Sequence, residues 1–299
     1  MSTPRPTEQR NPATTDIDLA PTEDVVLMIL REERVAVSAA ESASSRIAEL
    51  ADLAIHAVRA GQRIHYFGAG ASGRLAVLDA TELRPTFGVR ADLTVAHFPG
   101  GAEAILDSTI DLEDGRDGGR ADASTVAAHD IVIGVTASGT TRYVQGALEE
   151  ARERGAVTAL ITSNPSTPLE GLADVLVVLD TGAEAVTGST RLKAGTATKL
   201  ALNAFSTAMM VGLGRTYSNL MIGMSVTNDK LRERAIAVLT EASGESAEAA
   251  RAALDAAEHD LPEALVALLA RVDAVQAREA IEEHGTVRSA VTALDGRTQ

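Results

Sequence analysis

The sequence has no cysteine, no tryptophan and only 2% aromatic residues among its 299 positions. The absence of cysteine excludes disulfide bonds, a thiolate nucleophile and any zinc or iron–sulfur site built on cysteine. With four Phe and three Tyr, the chain also has few rings on which the bases of a single-stranded nucleic acid could stack. Its core must therefore be assembled mainly from Ala, Val, Leu and Ile.

Basic residues are also scarce, since Lys and Arg number 27 against 42 Asp and Glu, which gives a formal net charge of −15. A field of this sign repels polyanions, so we expect neither nucleic acid nor an anionic membrane as a partner. No apolar run reaches the roughly 18 residues that a membrane span requires, and the polar start lacks the apolar core of a signal peptide. These absences, with that of cysteine, favour a cytoplasmic protein.

The chain divides by pattern into three parts: a polar N-terminal arm over residues 1–20, a central domain over 21–230 and a small helical domain over 231–299. Two helical segments, from about residue 23 to Gly61, open the central domain. Short apolar runs then alternate with helical segments, and these runs are RIHYF, LTVAHF, DIVIGV, VTALITS and ADVLVVLD. Such alternation predicts an α/β fold with a doubly wound parallel sheet of about five strands. After about residue 231 only helical patterns remain, in the four segments LRERAIAVLTEASG, SAEAARAALDAA, LPEALVALLA and DAVQAREAIEEHG. These predict a separate small domain or, as an alternative, helices that extend the α/β core.

Two loops of small residues each lie between a predicted strand and a predicted helix. The glycine loop, Gly68–Gly73, reads GAGASG, and the hydroxyl loop, Thr136–Thr141, reads TASGTT. Backbone N–H groups and the positive end of a helix can hold an anion at such a place, although glycines in a tight turn are also explained by geometry alone. A dinucleotide site is disfavoured, because LTVAHFPGG offers no acidic residue for a ribose. Two such loops at one sheet edge, one of them rich in hydroxyls, favour a phosphate monoester.

Several long segments in a fixed order carry a family resemblance. They are GAGASGRLAVLDATELRPTFG, GVTASGTTRYVQGALEEARERG, TGSTRLKAGTATKLALNAFSTAMM and SNLMIGMSVTNDKL, with TEQRNP before them and AVLTEASGESAEAARAAL and HGTVRSA after them. Over nearly its whole length the chain resembles the N-acetylmuramic acid 6-phosphate etherases. The resemblance implies a sugar isomerase (SIS) phosphosugar-binding catalytic domain over 21–230 and a small bundle similar to ubiquitin-associated domains at the C-terminus.

The resemblance also implies a reaction, the cleavage of the D-lactyl ether of N-acetylmuramate 6-phosphate to N-acetylglucosamine 6-phosphate and D-lactate. This would make the protein a carbon–oxygen lyase in the recycling of cell-wall amino sugars. The sugar opens to its aldehyde, loses its C2 proton, expels lactate from C3 and adds water. We expect no metal and no cofactor, because acid–base groups suffice and the six histidines lack ligand spacing. We also expect a homodimer with the sugar pocket near the subunit interface.

By matching to the family, Glu82 is the expected proton donor and Glu113 the second catalytic glutamate, although Glu82 stands in Thr-Glu-Leu-Arg where the family commonly has Ser-Glu-Cys-Pro. Carboxyl groups suit this acid–base work, but any one of 42 acidic residues is by default a solvated surface charge. A cation at Lys193 would offset the acidity of the chain near a phosphate or carboxylate. The expected substrate-binding residues are Ala71, Ser72, Ser138, Gly139, Thr140, Thr141, Ser189 and Lys193.

Two alternatives share the SIS fold. A phosphosugar-sensing regulator, similar to the glucokinase regulatory protein, would bind the sugar phosphate without converting it. An aldose–ketose isomerase would use the same C2 proton chemistry but yield an isomerised sugar phosphate and no lactate. The two glutamates argue for catalysis, and the product distinguishes the etherase from the isomerase.

Overall fold

The computed structural model describes residues 5–107, 109, 112–226 and 228–296, and these form two compact units. The first unit holds residues up to Thr81 together with Asp92–Ala208, and the second holds Glu82–Ala91 together with the chain from Met209. The ends of the predicted arm and of the predicted C-terminal domain, residues 1–4 and 297–299, lie outside the described residues. The division after residues 20 and 230 stays a prediction.

A five-stranded parallel sheet forms the centre of the first unit, in the order β2-β1-β3-β4-β5. All five predicted strands are present, and the predicted α/β fold class is confirmed. Because the strands are parallel, their carboxyl ends meet at one edge of the sheet. The strands are β1 (Ile64–Gly68), β2 (Thr94–His97), β3 (Ile131–Val135), β4 (Val157–Thr162) and β5 (Val175–Val178).

Helices pack around this sheet, as the burial of β1 and β3 along their whole length requires. The helices that begin in the first unit are α1 (Thr22–Ser42), α2 (Ser44–Arg59), α3 (Gly70–Phe87), α4 (Gly101–Leu106), α5 (Arg116–Asp122), α6 (Arg142–Glu153) and α7 (Lys193–Gly212). One face of the sheet packs on α6 through Val132, Val144, Leu148 and Leu160, which are fully buried. The core is thus mainly aliphatic, as the composition predicts.

The second unit is helical apart from a short antiparallel pair, β6 (Thr216–Tyr217) and β7 (Leu220–Met221). Its helices are α8 (Asp229–Ser243), α9 (Ala247–Ala256), α10 (Leu261–Ala270), α11 (Ala274–His284) and α12 (Val287–Gly296). The side chains of Ser246, Asp260 and Asp273 accept backbone N–H bonds at three helix starts. The four predicted C-terminal helices are present, and α12 is a fifth that the sequence pattern did not indicate.

Candidate functional site

A cavity of about 430 Å³ lies at the carboxyl edge of the sheet in the first unit. Residues 69–72 follow β1 directly, residues 136–141 follow β3 directly, and both segments contribute to its wall. The glycine loop and the hydroxyl loop therefore converge on one cavity. Its lining residues are Arg5, Glu8, Ala69, Gly70, Ala71, Ser72, Glu113, Asp114, Thr136, Ala137, Ser138, Thr140, Thr141, Gly188 and Thr190.

The glycine loop is shaped by a close backbone contact between its two ends. A Cβ added to Gly73 would lie 2.4 Å from the carbonyl oxygen of Gly68, so the end of β1 and the start of α3 approach more closely than any side chain allows. Gly70 has a φ of +54° and begins α3. Ala71 and Ser72 in its first turn line the cavity. Because this first turn lies in the cavity wall, the positive N-terminal end of α3 faces the cavity.

The hydroxyl loop carries a connected set of hydroxyl groups. Thr136 Oγ1 lies 2.8 Å from Thr141 Oγ1 and 3.3 Å from Ser138 Oγ, which in turn lies 3.1 Å from Thr140 Oγ1. Each hydroxyl can donate one bond and accept two, so a set that bonds within itself keeps capacity for a ligand. Thr141 immediately precedes α6, and its side chain does not cap that helix. The loop therefore offers both hydroxyls and a helix N-terminus to the cavity.

Side chains of the segment after β4 donate hydrogen bonds to the backbone of the hydroxyl loop. Thr167 Oγ1 donates to the Gly139 carbonyl at 2.6 Å, and Asn164 Nδ2 donates to the Ser138 carbonyl at 3.1 Å. Gly139 has a φ of +70°, and a Cβ there would lie 2.7 Å from Thr167 Oγ1. Glycine is thus required at this position by both conformation and space.

Glu113 lines the cavity from the turn before α5. Its carbonyl oxygen accepts a 2.9 Å bond from the backbone N–H of Tyr143, in the first turn of α6. Two glycines bring α5 and α6 into close backbone contact, since a Cβ on Gly119 would lie 1.9 Å from the Tyr143 carbonyl oxygen and one on Gly146 would lie 1.9 Å from that of Arg116. The same helix therefore positions the hydroxyl loop and Glu113.

The N-terminal arm reaches the cavity as well. Arg5 and Glu8 line it, beside Gly188 and Thr190 from the segment before α7. The Gly188 N–H donates to the Thr7 carbonyl at 3.1 Å, which ties the arm to that segment. The polar composition of the arm gave no sign of this role.

Six predicted site residues lie together at this cavity: Ala71, Ser72, Glu113, Ser138, Thr140 and Thr141. Two further predicted residues adjoin it in the chain. Gly139 lies within the hydroxyl loop, and Ser189 lies between two lining residues, Gly188 and Thr190. Glu82 is exposed on α3 and is not among the lining residues of the described chain. Its role as proton donor stays a prediction.

Lys193 is not among the lining residues either, because its ammonium group is bound elsewhere. The Lys193 side chain is 4% exposed, and its Nζ lies 2.6 Å from Glu32 Oε2. Partial burial acts to raise the pKa of Glu32, but hydrogen bonds from Lys193 and Asn11 outweigh it and hold that pKa below its usual value. Glu184, which is fully buried, accepts bonds from the backbone N–H groups of Lys193 and Ala194 at the start of α7. A direct contact between Lys193 and substrate stays a prediction.

Three polar side chains form a second cluster inside the sheet, here called the histidine chain: His65, His97 and Asp130. His65 Nε2 donates to Asp130 Oδ2 at 3.2 Å, which leaves His65 Nδ1 to accept from His97 Nε2 at 3.0 Å. His97 also stacks on Phe67, with ring centroids 4.1 Å apart. Burial, followed by the nearby His65, lowers the pKa of His97 to about 4. Among the residues that the structure describes, no group of three or more His, Asp or Glu could hold a metal ion.

Comparison with known proteins identifies the family. A protein of Thermobifida fusca (strain YX) named N-acetylmuramic acid 6-phosphate etherase is 52% identical over 264 residues, which cover 88% of this chain and 87% of that protein. A protein of Pectobacterium atrosepticum with the same name is 44% identical over 287 residues, 95% of each chain. This chain belongs to the N-acetylmuramic acid 6-phosphate etherase family.

Two domain profiles and one solved structure agree with the fold of this etherase family member. Residues 46–152 match the glucokinase regulatory protein N-terminal SIS domain, and residues 115–208 match the SIS domain. The structure of a phosphoheptose isomerase from Francisella tularensis aligns with a TM-score of 0.51, at 16% identity, over 64% of this chain and 98% of that one. At that identity the likeness concerns the fold alone. None of the helices in the described ranges is long and apolar enough to cross a membrane.

Proposed function

We propose that this protein is an N-acetylmuramic acid 6-phosphate etherase that works at the cavity between the glycine loop and the hydroxyl loop. Family membership at 52% identity over 88% of the chain carries the reaction. The cavity supports it, because Ser138, Thr140 and Thr141 offer hydroxyls to a phosphate group at the N-terminal ends of two helices. A phosphosugar can be held in this way although the chain as a whole is strongly acidic.

The reaction needs a base and an acid near C2 and C3 of the sugar. In the open aldehyde form, the C2 proton is acidified by the neighbouring carbonyl group, and a carboxylate can remove it. The C3–O bond then breaks, and lactate leaves with the ether oxygen and takes up a proton. Water adds its oxygen to C3 and returns a proton to C2, which gives N-acetylglucosamine 6-phosphate. We assign the exchange of protons with the bound sugar to Glu113, and its position in the cavity wall supports this assignment.

We assign the donation of a proton to the leaving lactate to Glu82, on the strength of its match to the family. A direct test is Glu82→Gln, which keeps the size and hydrogen-bonding capacity of the side chain but cannot donate this proton. We expect the variant to fold normally and to lose most of the lactate release. If it keeps full activity, the donor lies elsewhere, and besides Glu113 the cavity offers the carboxyl groups of Glu8 and Asp114.

The experiment that tests the function is incubation with N-acetylmuramate 6-phosphate, followed by assays for D-lactate and for the sugar product. We expect equal amounts of D-lactate and N-acetylglucosamine 6-phosphate. Binding of the sugar phosphate without turnover would instead support a phosphosugar-sensing regulator. An isomerised sugar phosphate without lactate would support an aldose–ketose isomerase.

The proposal includes a homodimer in the cytoplasm. Support for the dimer comes from α1, where four apolar side chains are each at least 41% exposed: Val26, Leu27, Leu30 and Val37. Exposed apolar side chains that share one helix are typical of a protein–protein contact. Val37 also lines an apolar groove of about 400 Å³ in the first unit, together with Leu200 of α7. Light scattering is expected to give twice the mass of one chain, and Leu30→Glu is expected to shift it toward one. A wild-type protein with the mass of a single chain would contradict the dimer.

A further inference from the structure

The N-terminal arm is fixed to the first unit by side chains that the reaction chemistry does not use. Thr7, Asn11 and Thr14 are each at most 8% exposed, which is unusual for small polar residues near a chain end. Thr14 Oγ1 donates to the Ala185 carbonyl at 2.8 Å, and Asn11 Nδ2 donates to the Ala183 carbonyl at 3.2 Å. The arm is therefore bound along the segment that continues to Gly188 and Thr190 in the cavity wall.

The middle of the arm is bound to the ion pair between Glu32 and Lys193. Glu32 Oε2 accepts from Asn11 Nδ2 at 2.6 Å and from Lys193 Nζ at 2.6 Å, so one carboxylate oxygen joins the arm, α1 and α7. The Lys193 side chain is 4% exposed and that of Glu32 is 19% exposed. A pair that is largely removed from water is costly to break from one side only, because the remaining charge stays buried without its partner. The lock formed by Asn11, Glu32 and Lys193 is thus a rigid feature.

The start of the arm carries a positive charge at the cavity. Among the lining residues that the structure describes, Arg5 is the one cation, and it shares the wall with three carboxylates, those of Glu8, Glu113 and Asp114. The proposed substrate carries two anionic groups, a phosphate and the carboxylate of the lactyl ether. Neutral hydroxyls and helix ends can solvate one anion, but three nearby carboxylates oppose it. A guanidinium, with its planar set of donors, matches either anionic group.

Resting on the proposed function, we propose that Arg5 binds an anionic group of the substrate, and that Asn11 and Lys193 are positioning residues that hold the arm so that Arg5 reaches it. Specificity for a doubly anionic sugar then depends on the arm as well as on the two loops. In this role Lys193 supports substrate binding through Arg5, without direct contact with the sugar.

Equilibrium binding tests the first half of this inference. Calorimetric titration with N-acetylglucosamine 6-phosphate needs no turnover, so it reports on a contact between Arg5 and the phosphate even if the wild-type protein releases no lactate. A second titration, with N-acetylmuramate 6-phosphate in a Glu113→Gln background, adds the lactyl carboxylate. Arg5→Gln is expected to weaken binding of the second ligand about 10-fold, the usual effect of losing one charge-assisted hydrogen bond.

The two ligands separate the two anionic groups. An equal loss for both assigns Arg5 to the phosphate, and a loss for the lactyl sugar alone assigns it to the carboxylate. The matched control is Arg10→Gln, which removes the same charge from an exposed position on the same arm that does not line the cavity. It is expected to bind both ligands as the wild type does. Binding by Arg5→Gln at wild-type strength would overturn the inference.

A double-mutant cycle tests the second half. If Asn11 acts only by placing Arg5, then Asn11→Ala combined with Arg5→Gln binds no more weakly than Arg5→Gln alone, within about 2-fold. Lys193→Met with Arg5→Gln is expected to behave in the same way. If the losses multiply instead, to about 100-fold, the residues contribute independently, and the positioning role is wrong. Thermal unfolding of each variant identifies any that does not fold, and Asn11→Ala, which leaves the ion pair intact, keeps the test decisive if Lys193→Met unfolds.

Discussion

Two polar clusters are built on the same sheet, one in the loop after β3 and one within the strands, and they differ in their exposure. In the hydroxyl loop, Ser138 and Thr140 are partly exposed and bond mainly to one another, with open space in front of them. In the histidine chain, His65 and Asp130 are at most 1% exposed and bond to each other, with no cavity described beside them. Polar side chains alone therefore do not mark a binding site.

The two clusters differ in how much of their hydrogen-bonding capacity is unused. Asp130 accepts from the backbone N–H groups of Arg63 and Ala127 at 2.9 Å each, besides His65, so its oxygens are well supplied. The hydroxyls of the loop can still donate and accept. We therefore expect changes in the cavity to affect activity with little effect on stability, and changes in the histidine chain to do the opposite.

The largest effect is expected from Glu113→Gln, which removes an acid–base group from the cavity wall. We expect kcat for lactate release to fall about 10²- to 10⁴-fold, the usual contribution of general acid–base catalysis, with unfolding temperature unchanged. Asp117→Asn is the matched control, because Asp117 is exposed in the adjacent α5 and does not line the cavity. Equal activity of the two variants would remove Glu113 from the reaction.

The second effect concerns the histidine chain. Asp130→Ala leaves His65 and two backbone N–H groups without an acceptor in a buried place, so the free energy of unfolding is expected to fall by about 3 kcal/mol. Denaturant unfolding measures this change. Asp52→Ala, at an exposed position of α2, is expected to shift it by less than about 0.5 kcal/mol. A variant with wild-type stability but lost activity would reverse the roles assigned to the two clusters.

The third effect is a dependence of stability on pH. Burial, followed by the electrostatic effect of the nearby His65, lowers the pKa of His97 from 6.5 to about 4, so the unfolded chain binds more protons between these values. Stability is therefore expected to fall as the pH drops from about 6.5 to 4, by about 2 kcal/mol after allowance for partial exposure. Urea unfolding across this range measures it. His97→Gln should flatten the profile, and an unchanged slope would assign the effect to other groups.

The smallest effect is expected from Ser138→Ala, which removes one hydroxyl from a connected set. We expect KM for N-acetylmuramate 6-phosphate to rise about 10-fold, the equivalent of 1.4 kcal/mol, without loss of stability. Ser166→Ala is the matched control, since Ser166 is exposed on the segment behind the loop and does not line the cavity. A change in unfolding temperature rather than in KM would place Ser138 with the structural hydrogen bonds.

Much of the first unit could be predicted because short, local sequence patterns specify its strands and loops. Each strand is a short apolar run, and both loops follow directly from strands, so their convergence at one edge needs only the parallel topology. Gly139 illustrates the limit. The sequence placed it in the loop, but its close contact with Thr167 depends on how β4 returns beside β3.

Contacts between distant residues could not be predicted in this way. Glu32 and Lys193 are 161 positions apart, and neither lies in a pattern that points to the other. Arg5 lies in a polar arm without hydrophobic periodicity, and periodicity is the main signal of packing in a single sequence. For Glu82 and Glu113, the family resemblance supplied what no local pattern could, because both stand among many acidic residues.

The central claim is that lactate leaves by cleavage of the C3–O bond of the sugar, followed by addition of water. It is tested most directly by incubating the protein with N-acetylmuramate 6-phosphate in water labelled with oxygen-18. Elimination and hydration predict D-lactate whose hydroxyl oxygen is unlabelled and N-acetylglucosamine 6-phosphate that carries the label at C3. Absence of lactate, or lactate with a labelled hydroxyl group, would contradict the account.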